Sequence, residues 1–300
     1  MDTTPSRPTG ASLFARFAYP PNSLGLCGPP DSGALLAQAA GGGGGDDLRT
    51  LAEGFEGAWP YLELIAAANE IDDPLDASVV EAYWIGNGLL DNVSPARLAG
   101  FLDHRFRTGG ALGWQASPEA LAATACAHHN FHVFSVYPWV ALLKGGRSPE
   151  PLRVLEKCRV RWGRVQELLG DEVTVRGRGL HWTGASLELG TLRDETVAWR
   201  HDGRAFIAPP QPREWVALHW DSVCDVLTDS QLAELREHTA RQLATVNGSV
   251  TRPAPPPPPA EAPWPEERSA SGSSADPGRR LSRRRRAARA GRGTAGATPA

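Results

Sequence analysis

The sequence predicts an α+β protein. An all-helical N-terminal domain covers residues 11–147, a small OB-like β-barrel with a C-terminal helix covers 152–247, and a disordered tail covers 248–300. Three observations predict this. Apolar residues recur at three- and four-residue steps in the first half. Short alternating apolar segments separated by glycine turns fill the second half. Beyond Gly248 the chain turns to Pro, Ala, Ser, Gly and Arg, too poor in apolar groups to offset the entropy of ordering. At 300 residues, 41% of them apolar, the chain is long enough for two cores on a prior of ~100–200 residues per domain.

In the helical part, Leu48, Leu51, Phe55 and Trp59 form one buried face, and Pro60 kinks or restarts that helix. Asp76 caps a helix over 77–89. Ser94-Pro95 and Ser117-Pro118 each read as a cap followed by proline at the first helical position, opening helices over 97–106 and 119–131. Gly41 to Gly45 is a loop without the lysine or strand context of a phosphate cradle. The joint is Gly145-Gly146-Arg147-Ser148-Pro149. After it, Val173-Thr174-Val175, Leu187-Glu188-Leu189, Thr196 to Trp199 and Trp215 to Leu218 read as strands. Gly170-Asp171 and Asp202-Gly203 supply turns. Thr228 and Gln231 form a capping box that opens a helix carrying Leu232, Leu235 and Leu243.

The formal charge of −3 hides an asymmetry. Residues 279–292 hold eight arginines and no acid, so the rest of the chain carries −11. That basic run lacks interleaved aromatics or a reading domain, so weak contact with acidic surfaces is expected rather than nucleic-acid recognition. No apolar run approaches the ~18–20 residues that span a bilayer, and residues 1–10 lack the order of a signal peptide. The expectation is a cytoplasmic protein whose four scattered cysteines are reduced. Lysine occurs only at 144 and 157, a bias of high-GC bacterial genomes.

Two constellations point to chemistry. The first begins at Cys158 and continues through Trp162-Gly163, Val165, Gly170-Asp171 and Val173-Thr174-Val175. It resumes at Val216-Ala217-Leu218-His219, then Val223 to Leu227, then the capped helix. This order and spacing resemble the HypC-type hydrogenase-maturation chaperones over about a third of the chain. Trp162 replaces that family's proline, Asp221 and Ser222 replace its Gly-Phe, and Cys158 is internal rather than N-terminal. The resemblance implies a small barrel with Cys158 and His219 as cofactor-binding residues, the thiolate helping to hold an iron–cyanide–carbonyl precursor with a partner protein. Lys157, Arg159 and Arg161 are expected to favour that thiolate. The whole chain also resembles uncharacterised actinobacterial proteins associated with hydrogenase gene sets.

The second constellation is Cys126-Ala127-His128-His129-Asn130-Phe131-His132. On a regular helix His128 and His132 share a face and can chelate iron, nickel or zinc. The same histidines also fit a helix packed among Phe131, Phe134, Tyr137 and Trp139. No Ser/His/Asp order or paired-carboxylate pattern stands out.

The expected function is therefore an accessory protein or chaperone in nickel–iron hydrogenase maturation. It would act by binding the hydrogenase large subunit or other maturation proteins and by handling a metal precursor. The alternatives are a metal-dependent enzyme centred on the His128/His132 helix, and an interaction protein that reuses the barrel.

Overall fold

The computed structural model describes residues 8–41, 45–108, 123–147 and 149–248. Helix α1 (Gly10–Ser23) opens with the Thr9 hydroxyl accepting from Ser12 N at 3.2 Å and carries Pro20 and Pro21 inside its last turns. Helix α2 (Ser32–Ala39) is capped by Asp31, which accepts from Ala34 N at 3.1 Å. The expected continuous face from Leu48 to Trp59 is split between α3 (Gly45–Glu53) and α4 (Trp59–Ala68), with Pro60 in the first turn of α4. Helix α5 (Ala77–Trp84) is capped by Asp76 as expected but stops short of residue 89. Gly86 takes φ +109° there, against the ring of His238, and a 3₁₀ turn follows over Gly88–Asn92. Helix α6 (Pro95–Thr108) starts at the Ser94-Pro95 signal, where the Ser94 hydroxyl accepts from Arg97 N at 3.4 Å.

The helix expected over 119–131 takes a different form. Part of it lies outside the described residues, and residues 123–128 form turns. Helical geometry resumes only at α7 (His129–Phe131), which widens into a π turn over His132–Val136, with Tyr137 N donating to His132 O. Helix α8 (Trp139–Lys144) and helix α9 (Glu150–Cys158) flank the glycine joint. Cys158 therefore ends a helix. The tail over residues 249–300, with its arginine run, lies outside the described residues.

Five strands form one sheet: β1 (Arg161–Leu169), β2 (Glu172–Trp182), β3 (Leu187–Ala198), β6 (Trp215–His219) and β7 (Ser222–Leu227). The hydrogen-bonded order is β1-β2-β3-β7-β6, and β6 returns to β1 through pairs from Arg161↔Leu218 to Arg164↔Trp215. The β3–β7 join is a single parallel pair, Ala198↔Ser222, and the other neighbours are antiparallel. Strands β4 (Arg200–His201) and β5 (Arg204–Ala205) make a separate hairpin on Asp202-Gly203, both at positive φ as a tight right-twisted turn requires. Helix α10 (Asp229–Val246) opens on the complete Thr228/Gln231 capping box.

Strand alternation divides the sheet's side chains between two cores. Val165, Val173, Val175, Val197, Val216, Leu218 and Val223 fill the concave interior. Trp162, Ala217 and Cys224 face outward and join Phe14, Phe17, Trp84 and Leu235 in the main core. The divide expected at 147–152 falls at the start of α9, the strands begin only at Arg161, and one hydrophobic core runs across it. Arg16 on α1 pairs with Asp225 on β7 at 2.9 Å along this seam.

Buried Asn130 ties three segments together. Its amide accepts from Val160 N at 2.8 Å and donates to Val160 O at 3.0 Å and to Thr239 Oγ1 at 3.1 Å. A strand-like pair is thereby made between one side chain and the backbone leading into β1. Asn130→Ala leaves the N–H and C=O of Val160 buried and unpaired, at about 1–3 kcal/mol each. We expect a loss of about 3 kcal/mol in urea unfolding. A change below about 0.5 kcal/mol, the size typical of uninvolved surface sites, would contradict this role.

Candidate metal centre

Three side chains from three elements converge beneath α1. His219 is the last residue of β6, Cys158 the last of α9, and His129 the first of α7. One donor atom from each lies within 4.8 Å of the others. The sequence dictates much of this locally. On β6 the alternation that turns Val216 and Leu218 into the concave interior of the sheet turns Ala217 and His219 toward the helices. Cys158 is brought there by the backbone on both sides of it. Trp220 N donates to Lys157 O at 2.7 Å, and Arg161 Nη1 donates to Trp220 O at 2.7 Å. The end of α9 is thereby clamped to the residue that follows His219.

The orientation of His219 has a cause in α1. In a regular helix the carbonyl of Phe17 accepts from the N–H of residue 21, but residue 21 is proline and has none. The freed Phe17 carbonyl accepts instead from His219 Nδ1 at 2.7 Å. With Nδ1 carrying the proton, Nε2 keeps its lone pair, and that buried atom has no hydrogen-bond partner. An imidazole fixed through one nitrogen on a backbone carbonyl, with the other nitrogen bare, is the arrangement that second-shell bonds give metal-ligating histidines.

His129 is wired at both ring nitrogens. Nε2 donates to Cys158 O at 2.8 Å, and Nδ1 faces the Tyr83 hydroxyl at 3.1 Å. The Tyr83 hydroxyl also lies 2.8 Å from Gly57 O, to which it can donate. Coordination through Nε2 requires that nitrogen to give up both its proton and its bond to Cys158 O. The proton moves to Nδ1 and points at the Tyr83 oxygen, whose own hydrogen then goes to Gly57 O. The indole of Trp84 backs both imidazoles, with ring centroids 4.5 Å from His129 and 5.4 Å from His219.

Burial sets the protonation of the cluster. It holds His129 well below the ordinary histidine range and His219 at about 4, so both rings are neutral and available as donors. It pushes the Cys158 thiol up to about 12. The expected thiolate stabilisation by neighbouring cations is therefore overturned. Arg159 bonds Glu156 at 3.0 Å, Arg161 bonds Glu195 at 2.9 Å, and Lys157 bonds Asp221. Their charges are already neutralised, and Cys158 is a thiol until a cation displaces its proton.

The cluster opens on a cavity of about 360 Å³, which makes half-buried Cys158 reachable. Cys27 lines the same cavity from the loop after α1. That loop is fixed by buried Asn22, which donates to Cys27 O at 2.8 Å and Pro29 O at 2.7 Å. It is also fixed by Gly28, whose φ of +78° lays it against the Phe55 ring where a Cβ would have no room.

Of the residues singled out from sequence, the structure brings Cys158 and His219 together and leaves His128 and His132 out of the cluster, although His132 lines the same cavity. His128 is extended (φ −118°, ψ 143°), caps Asn130 N with its own Nδ1 and stacks on His238 at 4.6 Å. His132 faces Tyr61 Oη at 3.0 Å. The four-residue spacing does not put them on one face because His128 precedes the helix. His129, which sequence reasoning passed over, is the third donor.

The fold and this cluster describe an α+β protein with a Cys/His₂ donor set, its two histidines buried and its cysteine half-buried, beside an apolar cavity. The model of the DUF6390 family, a family of unknown function, matches residues 6–253, and the chain belongs to that family. No curated protein and no solved structure matches the chain. Among the described residues no helix is long and apolar enough to cross a membrane.

The buried histidines make an acid prediction. His128 and His129 are held well below the usual range, His132 at about 3, and His219 and His238 at about 4. In the unfolded chain each titrates near ~6.5. Between those values the unfolded state binds more protons, so stability falls as pH drops from about 6.5 toward 4 and is flat above about 7. The slope is about 1.4 kcal/mol per pH unit for each histidine titrating only when unfolded. Urea midpoints between pH 8 and 4.5 should show that break, and a midpoint unchanged from pH 7 to 5 would contradict it.

Proposed function

We propose that this protein handles a transition metal or a metal precursor at His129, Cys158 and His219, as an accessory protein in nickel–iron hydrogenase maturation. The observation that carries the metal part is the convergence of His129, Cys158 and His219, one donor atom of each within 4.8 Å of the others, together with the buried Nε2 of His219, which has no hydrogen-bond partner. One soft thiolate and two imidazoles suit zinc, nickel or iron. The hydrogenase part is supported by the resemblance to HypC-type chaperones: the two residues that it singles out, Cys158 and His219, lie in one cluster. The partner on this reading is a hydrogenase large subunit or another maturation protein.

A second reading, a metal-dependent enzyme, is favoured by one specific feature. Three protein donors on one side leave a coordination position facing the cavity, the arrangement of catalytic rather than structural zinc sites. On this reading the enzyme centres on His129 instead of the His128/His132 pair.

Purified protein is expected to carry iron, nickel or zinc, or to take up one equivalent of added zinc with release of a proton from Cys158. Cys158→Ser and His219→Gln should each lower metal affinity by at least tenfold, whereas His128→Gln should not. In a host with a nickel–iron hydrogenase, Cys158→Ala should leave the protein folded and reduce hydrogenase activity. A protein that takes up no metal at all would end the metal reading. Full hydrogenase activity with folded Cys158→Ala would end the accessory reading and leave the enzyme.

A further inference from the structure

We infer that the cavity beside the cluster binds a small, uncharged, largely apolar or aromatic molecule whose single neutral donor atom completes the coordination of the metal. The donor half rests on the metal centre proposed above; the apolar half stands on the cavity itself.

The walls define the ligand's chemistry. Six aromatic side chains, Phe55, Tyr83, Trp84, Tyr137, Trp139 and Trp220, line the cavity. Such planar surfaces favour a planar, polarisable guest through stacked or edge-on contacts. The charged side chains among the lining residues are Glu150 and Arg153, which pair with each other at 2.6 Å while largely exposed. Neither offers an uncompensated charge to a guest. An anion or cation that left water for these walls would lose several kcal/mol of solvation without a counter-charge to replace it. Leu26, 55% exposed, belongs to both the lining and the surface, so the rim is apolar as well.

Volume sets the size. An apolar cavity of about 150 Å³ accepts benzene. At about 360 Å³ this one takes roughly twice that, on the order of a dozen non-hydrogen atoms. The donors define the ligand's polar end. His129, Cys158 and His219 all come from the lining, so a ligand that fills the apolar space presents one end to the metal. This arrangement, an apolar pocket with a few convergent polar groups, is the general form of small-molecule sites. It goes beyond metal handling, which needs donors but no aromatic chamber.

The test uses three bicyclic probes of similar size on the full chain: indole, benzimidazole and benzimidazole-5-carboxylate. Indole has no free donor nitrogen, benzimidazole has one, and the third adds a charge. Tryptophan fluorescence and calorimetry are read on metal-free and on cobalt(II)-loaded protein. Indole is expected to bind both forms within about twofold. Benzimidazole should bind the cobalt form at least tenfold more tightly than the metal-free form and shift its visible bands. The carboxylate should bind at least tenfold more weakly than benzimidazole.

Failure of indole and benzimidazole to bind either form, or equal binding of the carboxylate, would overturn the inference. Protein that takes up no cobalt yet binds indole would remove the metal centre and the donor half while keeping the apolar pocket. The two failures are therefore distinguishable. Val154→Trp narrows the cavity from α9 and should weaken indole at least tenfold with cobalt content unchanged. Unchanged indole binding in that variant would place the probe elsewhere and count against the inference.

Discussion

The guanidinium of Arg161 sits almost fully buried where α9, β1, β3 and the β6–β7 turn meet. It donates to both oxygens of Glu195, at 3.2 and 2.9 Å, and to the carbonyl of Trp220 at 2.7 Å. Its neighbour Arg159 is equally buried and bonds Glu156 and the carbonyl of Arg178. Glu156 in turn accepts from Leu180 N at 2.8 Å. Taking such charges from water costs several kcal/mol each, repaid only where the hydrogen bonding is dense. The return is positional. The corner between α9 and β1 has one acceptable arrangement, and Cys158 sits at that corner. Removing one partner would strand an uncompensated charge rather than loosen a surface pair.

From that corner the cluster follows by a chain of small causes. Trp220 is held on both sides, so His219 is fixed at the end of β6 and turned by strand alternation toward α1. Proline at position 21 leaves the Phe17 carbonyl without a helical donor, and His219 Nδ1 fills the gap. Asn130 pins the start of α7 to Val160, two residues beyond Cys158, and so delivers His129 to the same place. The helical layer is thus part of the site's construction. It supplies the carbonyl that orients one donor, the tyrosine that orients another, and the aromatic walls of the cavity.

Much of the fold was legible in the sequence because its signals are local. Asp76, Ser94-Pro95 and the Thr228/Gln231 box each marked a helix start that the structure shows, and Pro60 marked the restart of a helix. The β-rich run after residue 160 came from period-two patterning that an inward-facing valine set enforces. What local signals lacked was context. Residues 126–132 read as a regular helix, but His128 is extended and the turns that follow widen to a π turn, so the i, i+4 rule does not bring His128 and His132 to one face. The pairing of Cys158 with His219 came from a resemblance in order and spacing. His129 had no such guide, since its position depends on Asn130 reaching Val160, thirty residues away. The charges flanking Cys158 misled in the same manner, because Glu156, Glu195 and Asp221 neutralise them only in three dimensions. The Pro20-Pro21 pair was a usable signal: two prolines late in a helix leave carbonyls that something else must satisfy.

The proposed centre makes a definite claim about donor atoms, and X-ray absorption on the zinc-loaded full chain reads those atoms directly. The expected shell holds one sulfur at about 2.3 Å and two imidazole nitrogens at about 2.0–2.1 Å. Cys158→Ser should remove the sulfur and His129→Gln one nitrogen. A shell without sulfur, or one unchanged in the Cys158→Ser protein, would contradict the assignment of His129, Cys158 and His219 as the metal's ligands.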